Sequence, residues 1–328
     1  MKFVAIRLVQ LVVVLFAATF FTYTLTFVAD SPDDIIDKVL QTESGNETRR
    51  AEIRADLNLD DPLLVRYGKW VGDAVTGDFG FSYAAQEPVS DRLTTRIPRT
   101  LALVLLSQFL ALLLSIPAGI IAAWRADTWV DRGLSTSSIG LLAIPNYVVA
   151  LLLVFLFVLQ LGWFPSIVDS GMNPSTFGEF LQVWRWEFSS LFLPALSLGL
   201  GQVAVYMRLL RTDMIATLQE DYIGMAKAKG MPTRSILFRH ALRPSSLSLV
   251  TTIGINAGAA IGGTVIIEQI FGLPGVGQML VDAIFRGDIM VVQGVVAVIA
   301  LGFVVINFII DLLYAALDPR IRSVRSAA

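Results

Sequence analysis

The sequence contains no cysteine and a single histidine, His240. Without cysteine the chain can form neither a disulfide nor a thiolate metal site, and one histidine offers little to a metal ion. We therefore predict no metal site. Charged residues are also scarce, at 16% of the chain, and the net charge is -2. A chain with so few charges and a slightly acidic balance is not expected to bind nucleic acid.

Nucleotide-binding and catalytic motifs are missing as well. A phosphate-binding loop needs Gly-Lys followed by Ser or Thr, whereas the only Gly-Lys pair, Gly68-Lys69, is followed by Trp70. The long apolar stretches contain neither the ionisable residues of an ion-coupled carrier nor the paired aspartates of an intramembrane protease. We therefore predict that the chain has no catalytic residue, hydrolyses no nucleotide and binds no cofactor.

Apolar residues make up 55% of the chain. Six windows are free of Lys, Arg, Asp and Glu, and each has at least the roughly 20 residues needed to cross a bilayer. These windows are Leu8–Ala29, Thr100–Trp124, Gly133–Val168, Phe188–Met207, Pro244–Ile267 and Ile289–Ile310. The first is too long for the apolar part of a signal peptide. We predict an all-α membrane protein with six transmembrane helices in the lipid bilayer.

The distribution of Lys and Arg predicts the orientation of these helices. With the N-terminus inside, the inner segments hold 14 Lys and Arg residues, whereas the two short outer loops hold only Arg185 and Arg286. Basic residues in short loops are enriched on the cytoplasmic side. Both termini are therefore predicted to be cytoplasmic.

The chain is predicted to have four parts along its length. They are an N-terminal transmembrane helix (1–29), an extracytoplasmic segment (30–98), a membrane core of five helices (99–318) and a cytoplasmic tail (319–328). Within the second part, Asp61–Ala74 has apolar residues at helical spacing, whereas Ser31–Arg54 is charged and weakly patterned. A short outer helix is predicted over Gln278–Phe285, and Trp124–Arg132 is predicted to be an inner loop.

The longest polar interruption in the C-terminal two thirds of the chain is Glu220–Pro244, here named the polar segment. Its acidic start favours a helix N-terminus, and Gly230 can supply the positive φ that ends a helix. Thr233 is predicted to cap a second short helix, which ends before Pro244. Two short helices joined at a glycine would project from the membrane, either as a solvated basic loop or as a docking element.

The fifth predicted helix has an unusual run of small residues. Gly254, Gly258 and Gly262 are four residues apart on one face, so another backbone can approach closely. This face either packs tightly within the chain or lines a path for solute at an interface with a second subunit. In the second case the uncharged amides Gln202 and Asn256 would also line the path. Glu268 is predicted to end this helix.

A membrane chain without its own energy-converting site must receive energy from a partner if it transports solute. The polar segment is the predicted docking element for that partner. Its residues resemble the cytoplasmic loop of binding-protein-dependent ABC importers, in the dipeptide and oligopeptide permease group. The matching stretches there are Asp221-Tyr222, Ala226-Lys227-Ala228-Lys229-Gly230 and Arg239-His240-Ala241-Leu242-Arg243.

The resemblance extends over almost the whole chain. Further stretches similar to that group are Asp61-Pro62 with Arg66-Tyr67 and Trp70, Gly77-Asp78-Phe79-Gly80, Arg96 to Leu101, Leu161-Gly162-Trp163, Pro274 to Gly277, and Asp311 through Asp318-Pro319-Arg320. The chain departs from the broader importer pattern at Gly224-Met225-Ala226, where Glu-Ala-Ala is usual. The acidic role in the loop would then pass to Asp221 or Glu220.

This resemblance implies a type I ABC importer transmembrane domain with a small extracytoplasmic insertion, located in the bacterial inner membrane. It implies four kinds of partner: a second permease subunit, two ATP-binding subunits that hold ATP and Mg²⁺, an extracytoplasmic peptide-binding protein and the bilayer. The residues expected to couple to an ATP-binding subunit are Glu220, Asp221, Tyr222, Ala226, Lys227, Ala228, Lys229, Gly230, Arg239 and His240.

Two alternatives to peptide import remain open from the sequence. Similar systems carry nickel, haem or glycan fragments, so the solute need not be a peptide. A scaffold that senses a peptide-loaded partner without moving solute would also have the polar segment but would need no path through the membrane.

Overall fold

The structure is a computed structural model that describes residues 2–28, 31–40, 47–164 and 188–317. Within these ranges the chain is almost entirely helical. The α-helices are α1 (Lys2–Val28), α2 (Pro32–Leu40), α3 (Glu47–Asp56), α4 (Leu63–Val75), α5 (Val89–Trp124), α6 (Trp129–Ala143), α7 (Asn146–Leu153), α8 (Phe188–Leu218), α9 (Asp221–Ala228), α10 (Thr233–Ser235), α11 (Leu242–Phe271), α12 (Val276–Arg286) and α13 (Ile289–Leu317). Two π-helices, Val154–Gln160 and Ile236–Ala241, follow α7 and α10.

Among the described residues, five helices are long and apolar enough to cross a membrane. They contain Val9–Phe27, Val89–Trp124, Ser190–Leu218, Thr233–Phe271 and Ile289–Ile310. A bent pair, Trp129–Ala143 with Asn146–Gln160, would make a sixth span. The predicted all-α membrane fold is confirmed, and five of the six predicted windows correspond to these long helices.

The third predicted window is not one straight helix, which corrects the sequence-based prediction. The chain bends by 98° between α6 and α7. Pro145 lacks an amide hydrogen and its ring clashes with the preceding helical turn, while Ile144 before it takes an extended conformation, with φ -96° and ψ 121°. The predicted inner loop is also shorter than expected, because α6 already begins at Trp129.

The chain forms two compact units. The described residues of the first unit are 2–28, 31–40, 47–101 and 272–305, and those of the second are 102–164, 188–271 and 306–317. In the first unit the core is aromatic: Tyr23, Tyr67 and Trp70 pack together with ring centroids 5.5 to 6.2 Å apart. The Tyr67 hydroxyl lies 2.8 Å from that of Thr19, and Gln293 donates to the Thr19 carbonyl at 3.0 Å. These contacts hold α4 and α13 against α1.

The stretch Ser31–Arg54 is more regular than its sequence indicates. Its described residues from Pro32 onward lie in α2 and α3, on which Ile35, Ile36 and Ile53 are buried, each 1% exposed. Ser31 and Asp34 exchange hydrogen bonds at the start of α2, as in a capping box. A two-stranded hairpin pairs Phe81 with Pro88 and Ser82 with Glu87. The division into four parts remains a prediction, and its tail, 319–328, lies outside the described residues.

In the second unit, α8 packs at close range against its neighbours. A Cβ atom at Gly199 would lie 2.7 Å from the Ser107 carbonyl oxygen of α5. Asp131 of α6 accepts two hydrogen bonds from the Arg211 guanidinium, one of them 2.6 Å long. The Asp131 side chain is only 3% exposed, so this ion pair fixes α6 to the end of α8 with little screening from solvent.

Candidate functional site

The first half of the polar segment is helix α9, which begins as predicted. Glu220 takes the extended conformation of a helix N-cap, and Asp221 lies in the first turn. Negative side chains are favourable there because the first amide groups of a helix carry a partial positive charge. Ile223 and Ala226 are buried against Ile236. One face of this short helix is therefore attached to the rest of the unit.

Gly230 ends α9 in the geometry that the sequence predicted. Its φ is +73°. Its amide donates to the Lys227 carbonyl at 3.0 Å, and the Met231 amide donates to the Ala226 carbonyl at 3.2 Å. Together these bonds form a Schellman motif, in which the residue with positive φ is usually glycine. Met231 then packs on the Ile223 cluster, which fixes the direction in which the chain leaves the helix.

The second predicted short helix does not exist as a separate element. After α10 and the π-helix Ile236–Ala241 the chain continues directly into α11, through Pro244. Pro232 occupies the N-cap position of α10 and no side chain caps it, so the prediction for Thr233 is wrong. Pro244 is tolerated because the π-helical turn, closed by a Leu242 amide to Leu237 carbonyl bond, already departs from regular pairing.

The other face of the polar segment is exposed and carries large apolar side chains. Met225 is 61% exposed, Phe238 55% and Tyr222 41%. The predicted coupling residues Glu220, Asp221, Lys227, Ala228, Lys229, Gly230 and Arg239 are also exposed, whereas Ala226 is buried. His240 is half-buried, and its carbonyl accepts a 3.4 Å hydrogen bond from the Tyr222 hydroxyl. Apolar side chains among charges form a surface suited to a protein partner.

The base of the polar segment is fixed by polar contacts between α8 and α11. The hydroxyls of Thr217 and Ser245 lie 2.9 Å apart, and Ser248 donates to Asp213. Ser245 is 3% exposed, so the first contact is shielded from water. These contacts join α8 and α11 on either side of the polar segment.

The two amides predicted to line a path, Gln202 and Asn256, are brought together with two residues that were not predicted for it, Gln108 and Tyr206. The Tyr206 hydroxyl lies 2.9 Å from Oε1 of Gln108 and 3.0 Å from Oε1 of Gln202, and it also contacts the Asn256 amide. These residues come from α5, α8 and α11. Tyr206 follows Gln202 by four residues, on the same helix face, and this spacing was the signal available in the sequence.

The three glycines of α11 do not share one environment. A Cβ atom at Gly254 would lie 2.4 Å from Ile310 of α13, so Gly254 packs within the chain. Gly258 is also buried, whereas Gly262 is exposed and a Cβ there would meet no atom within 4 Å. Glu268 lies inside α11, which continues to Phe271, and is 1% exposed. The role of Gly258 and Gly262 in a path remains a prediction.

Metal ligands do not cluster in the part of the chain that the structure describes. There, no three histidine or acidic side chains lie close enough together to hold a metal ion. The absence of a cofactor remains a prediction.

Comparisons with known proteins cover nearly the whole chain. Residues 115–323 match the family model described as binding-protein-dependent transport system inner membrane component, and residues 1–104 match the model of its N-terminal part. The oligopeptide transport system permease protein AppB of Bacillus subtilis is 38% identical over 84% of this chain and 86% of its own.

Two further relatives have similar coverage. A putative peptide transport system permease protein of Brucella abortus is 38% identical over 82% of this chain and 83% of its own. The glutathione transport system permease protein GsiC of Escherichia coli is 34% identical over the same shares.

Proposed function

Because the chain belongs to the family of binding-protein-dependent transport system inner membrane components and is a membrane permease subunit of a peptide ABC importer, we propose that its polar segment couples it to an ATP-binding subunit. The observation that carries this proposal is that α9 has one buried face and one exposed face. Its buried face is fixed to the unit through Ile223, and its opposite face exposes Tyr222 and Met225.

This geometry suits the transfer of force between subunits. The exposed apolar side chains would enter a cleft of the partner, while Asp221, Lys227, Lys229 and Arg239 would form charged contacts around it. Movement of the partner on ATP binding would displace α9. The contacts of Thr217 with Ser245 would pass that displacement to α8 and α11.

Solute would pass along α5, α8 and α11, the membrane helices that carry the polar side chains around Tyr206. Gln108, Gln202, Tyr206 and Asn256 offer uncharged hydrogen-bonding groups, which suit peptide backbone without selecting one side chain. Gly258 and Gly262 would leave room beside them. A second permease subunit would supply the other half of the path.

The remaining assignments follow from the family. We propose that ATP and Mg²⁺ bind to two partner subunits, that an extracytoplasmic binding protein delivers the peptide, and that this chain hydrolyses no ATP. The chain would lie in the bacterial inner membrane with both termini in the cytoplasm. The names of the relatives favour a peptide over nickel, haem or glycan fragments as the solute.

A single-cysteine variant tests the docking proposal directly, because the natural chain has no cysteine. In the assembled complex, Met225→Cys carrying a short thiol- and amine-reactive cross-linker should join this subunit to an ATP-binding subunit. The yield should change when ATP is added. Cross-linked pairs are identified by mass spectrometry.

The matched control is Leu64→Cys, which places a thiol at a position that is 70% exposed on α4. It should react with the same reagent yet give no product with the ATP-binding subunit. Equal yields from the two variants, or no such product from Met225→Cys, would contradict the proposal.

A further inference from the structure

The first unit contains a cavity of about 660 Å³. This volume is typical of small-molecule sites, which range from about 300 to 1,000 Å³. The cavity is bounded by α1, α4, the strand hairpin and the start of α13. The polar lining includes Arg66, Trp70, Lys69, Asp56, Asp73 and Asp78.

Arg66 is a buried cation in the wall of this cavity. It is 8% exposed, and its Nε atom is buried without a hydrogen-bond partner. The guanidinium stacks on the Phe27 ring, 4.7 Å from the centroid. Among the described residues, no carboxylate lies within ion-pair distance of it. Arginine is almost never this buried without an anion, so the cavity wall presents a charge that lacks its counterion.

Trp70 provides a second unsatisfied donor beside the first. It is 8% exposed, and its indole N–H has no acceptor in the part of the chain described. Trp70 follows Arg66 by four residues on α4, which places both side chains on one helix face. A carboxylate has two oxygens, and each can accept more than one hydrogen bond. It can therefore accept two hydrogen bonds from the guanidinium fork and a third from the indole N–H.

The other polar groups of the lining are arranged differently. Lys69 is already bound to Asp61 at 2.6 Å and to Asn58 at 2.8 Å, so it does not compete for an anion. Asp56, Asp73 and Asp78 are exposed and form an acidic rim. The cavity thus offers one cation, Arg66, and one neutral donor, Trp70, at its buried wall and carboxylates at its rim.

The hydroxyl of Tyr83, also in the lining, donates to the Asp56 carboxylate at 3.0 Å. Burial, together with this hydrogen bond, raises the pKa of Tyr83 above its usual range. The protonated phenol holds the Asp56 carboxylate in the rim.

We propose that this cavity binds a short zwitterionic peptide, with its carboxylate on Arg66 and Trp70 and its ammonium group at the acidic rim. The proposal rests on the proposed function, in which the segment before α5 faces the side from which peptide arrives. A plain anion would meet the rim carboxylates as like charges, whereas a zwitterion matches both parts of the cavity.

The experiment measures equilibrium binding of radiolabelled trialanine to the complete complex in nanodiscs, without ATP and without the binding protein. Trialanine should bind at least tenfold more tightly than trialanine amide, which lacks the carboxylate. Acetate alone should not compete at equal concentration. Equal affinity for trialanine and its amide would overturn the proposal.

Arg66→Met should weaken trialanine binding at least tenfold, whereas Arg50→Met, which removes an arginine of α3 outside the cavity, should leave it unchanged. Trp70→Phe should weaken binding several-fold because it removes the indole N–H together with part of the ring, while an aromatic side chain remains. If the Arg66→Met complex does not assemble, Arg66→Lys keeps the charge without the fork and should bind more weakly than the natural chain. Unchanged affinity in both Arg66→Lys and Trp70→Phe would overturn the proposal.

Uptake measured with ATP and the binding protein separates this inference from the proposed function. A complex that imports trialanine but shows no binding dependent on Arg66 would contradict only the inference. A complex that binds trialanine through Arg66 but imports no peptide would contradict the proposed function.

Discussion

Gly230 determines the direction in which the polar segment leaves α9. At φ +73° an L side chain is strained, because its Cβ approaches the following carbonyl. The space around the residue is open, since a Cβ there would meet nothing within 4 Å. Within this chain, a substitution effect at Gly230 is therefore conformational and does not arise from a clash.

We expect Gly230→Val to lose coupling while the complex still assembles. The strain costs about 1–3 kcal/mol and can be relieved only by changing the Schellman motif, which moves α9 relative to α11. Reconstituted complexes should show less peptide uptake for each ATP hydrolysed. Gly224→Val is the matched control, because Gly224 lies within α9 and a Cβ there also meets open space. Normal coupling in Gly230→Val would contradict this role.

The sequence was sufficient to predict the φ of Gly230 because helix ends obey local rules. It was not sufficient for Arg211, which in the sequence is only one of the 14 basic residues assigned to the inner segments. Its partner, Asp131, is 80 positions away, and only the packing of α6 on α8 brings the two together. Arg66 was likewise visible in the sequence only as part of the Arg66-Tyr67 stretch. That no described carboxylate pairs with it follows from the packing of the first unit, which sequence patterns do not reveal.

At the scale of elements, charge-free windows located the long helices well, because the bilayer sets their minimum length. Proline was a poor predictor of where these helices end. Pro194 lies within α8 and Pro244 within α11, yet Pro145 separates α6 from α7. The difference comes from neighbouring structure, such as the π-helical turn before Pro244, which sequence patterns do not reveal. The helices α2 and α3 were missed because they bury only two isoleucines and one isoleucine, respectively.

Helix α11 has one tightly packed and one open position among its glycines. We expect Gly254→Leu to lower the yield and the melting temperature of the complex, because the added Cβ would lie 2.4 Å from Ile310. Displacing such a neighbour costs about 1–3 kcal/mol. Gly262→Leu should assemble normally, since nothing lies within 4 Å of its Cβ position. Equal melting temperatures of the two variants would contradict this packing.

The assembled Gly262→Leu complex also tests the predicted path. If the exposed face of α11 lines it, leucine fills space that the solute needs, and peptide uptake should fall while ATP-binding subunits still bind. Unchanged uptake would mean that this face contacts lipid or another subunit without lining the path.

At the scale of the whole molecule, the comparisons establish a multi-pass permease, and the long helices agree with that. The bend at Pro145 has a consequence for how the chain is threaded through the bilayer. Each arm, α6 and the stretch Asn146–Gln160, has 15 residues and is about 22 Å long at the usual rise. The hydrocarbon core is about 30 Å thick, so neither arm crosses it alone.

The two arms together therefore decide whether the number of crossings is odd or even. An even number returns the C-terminus to the compartment of the N-terminus, and an odd number separates them. We expect six crossings, so a fluorescent protein fused after Ala328 should be bright in the cytoplasm. Alkaline phosphatase fused there should be inactive but should be active when fused after Gly72. An active phosphatase at Ala328 would mean five crossings. The way in which the two arms on either side of Pro145 lie in the bilayer thus sets the compartment of everything that follows them in the chain.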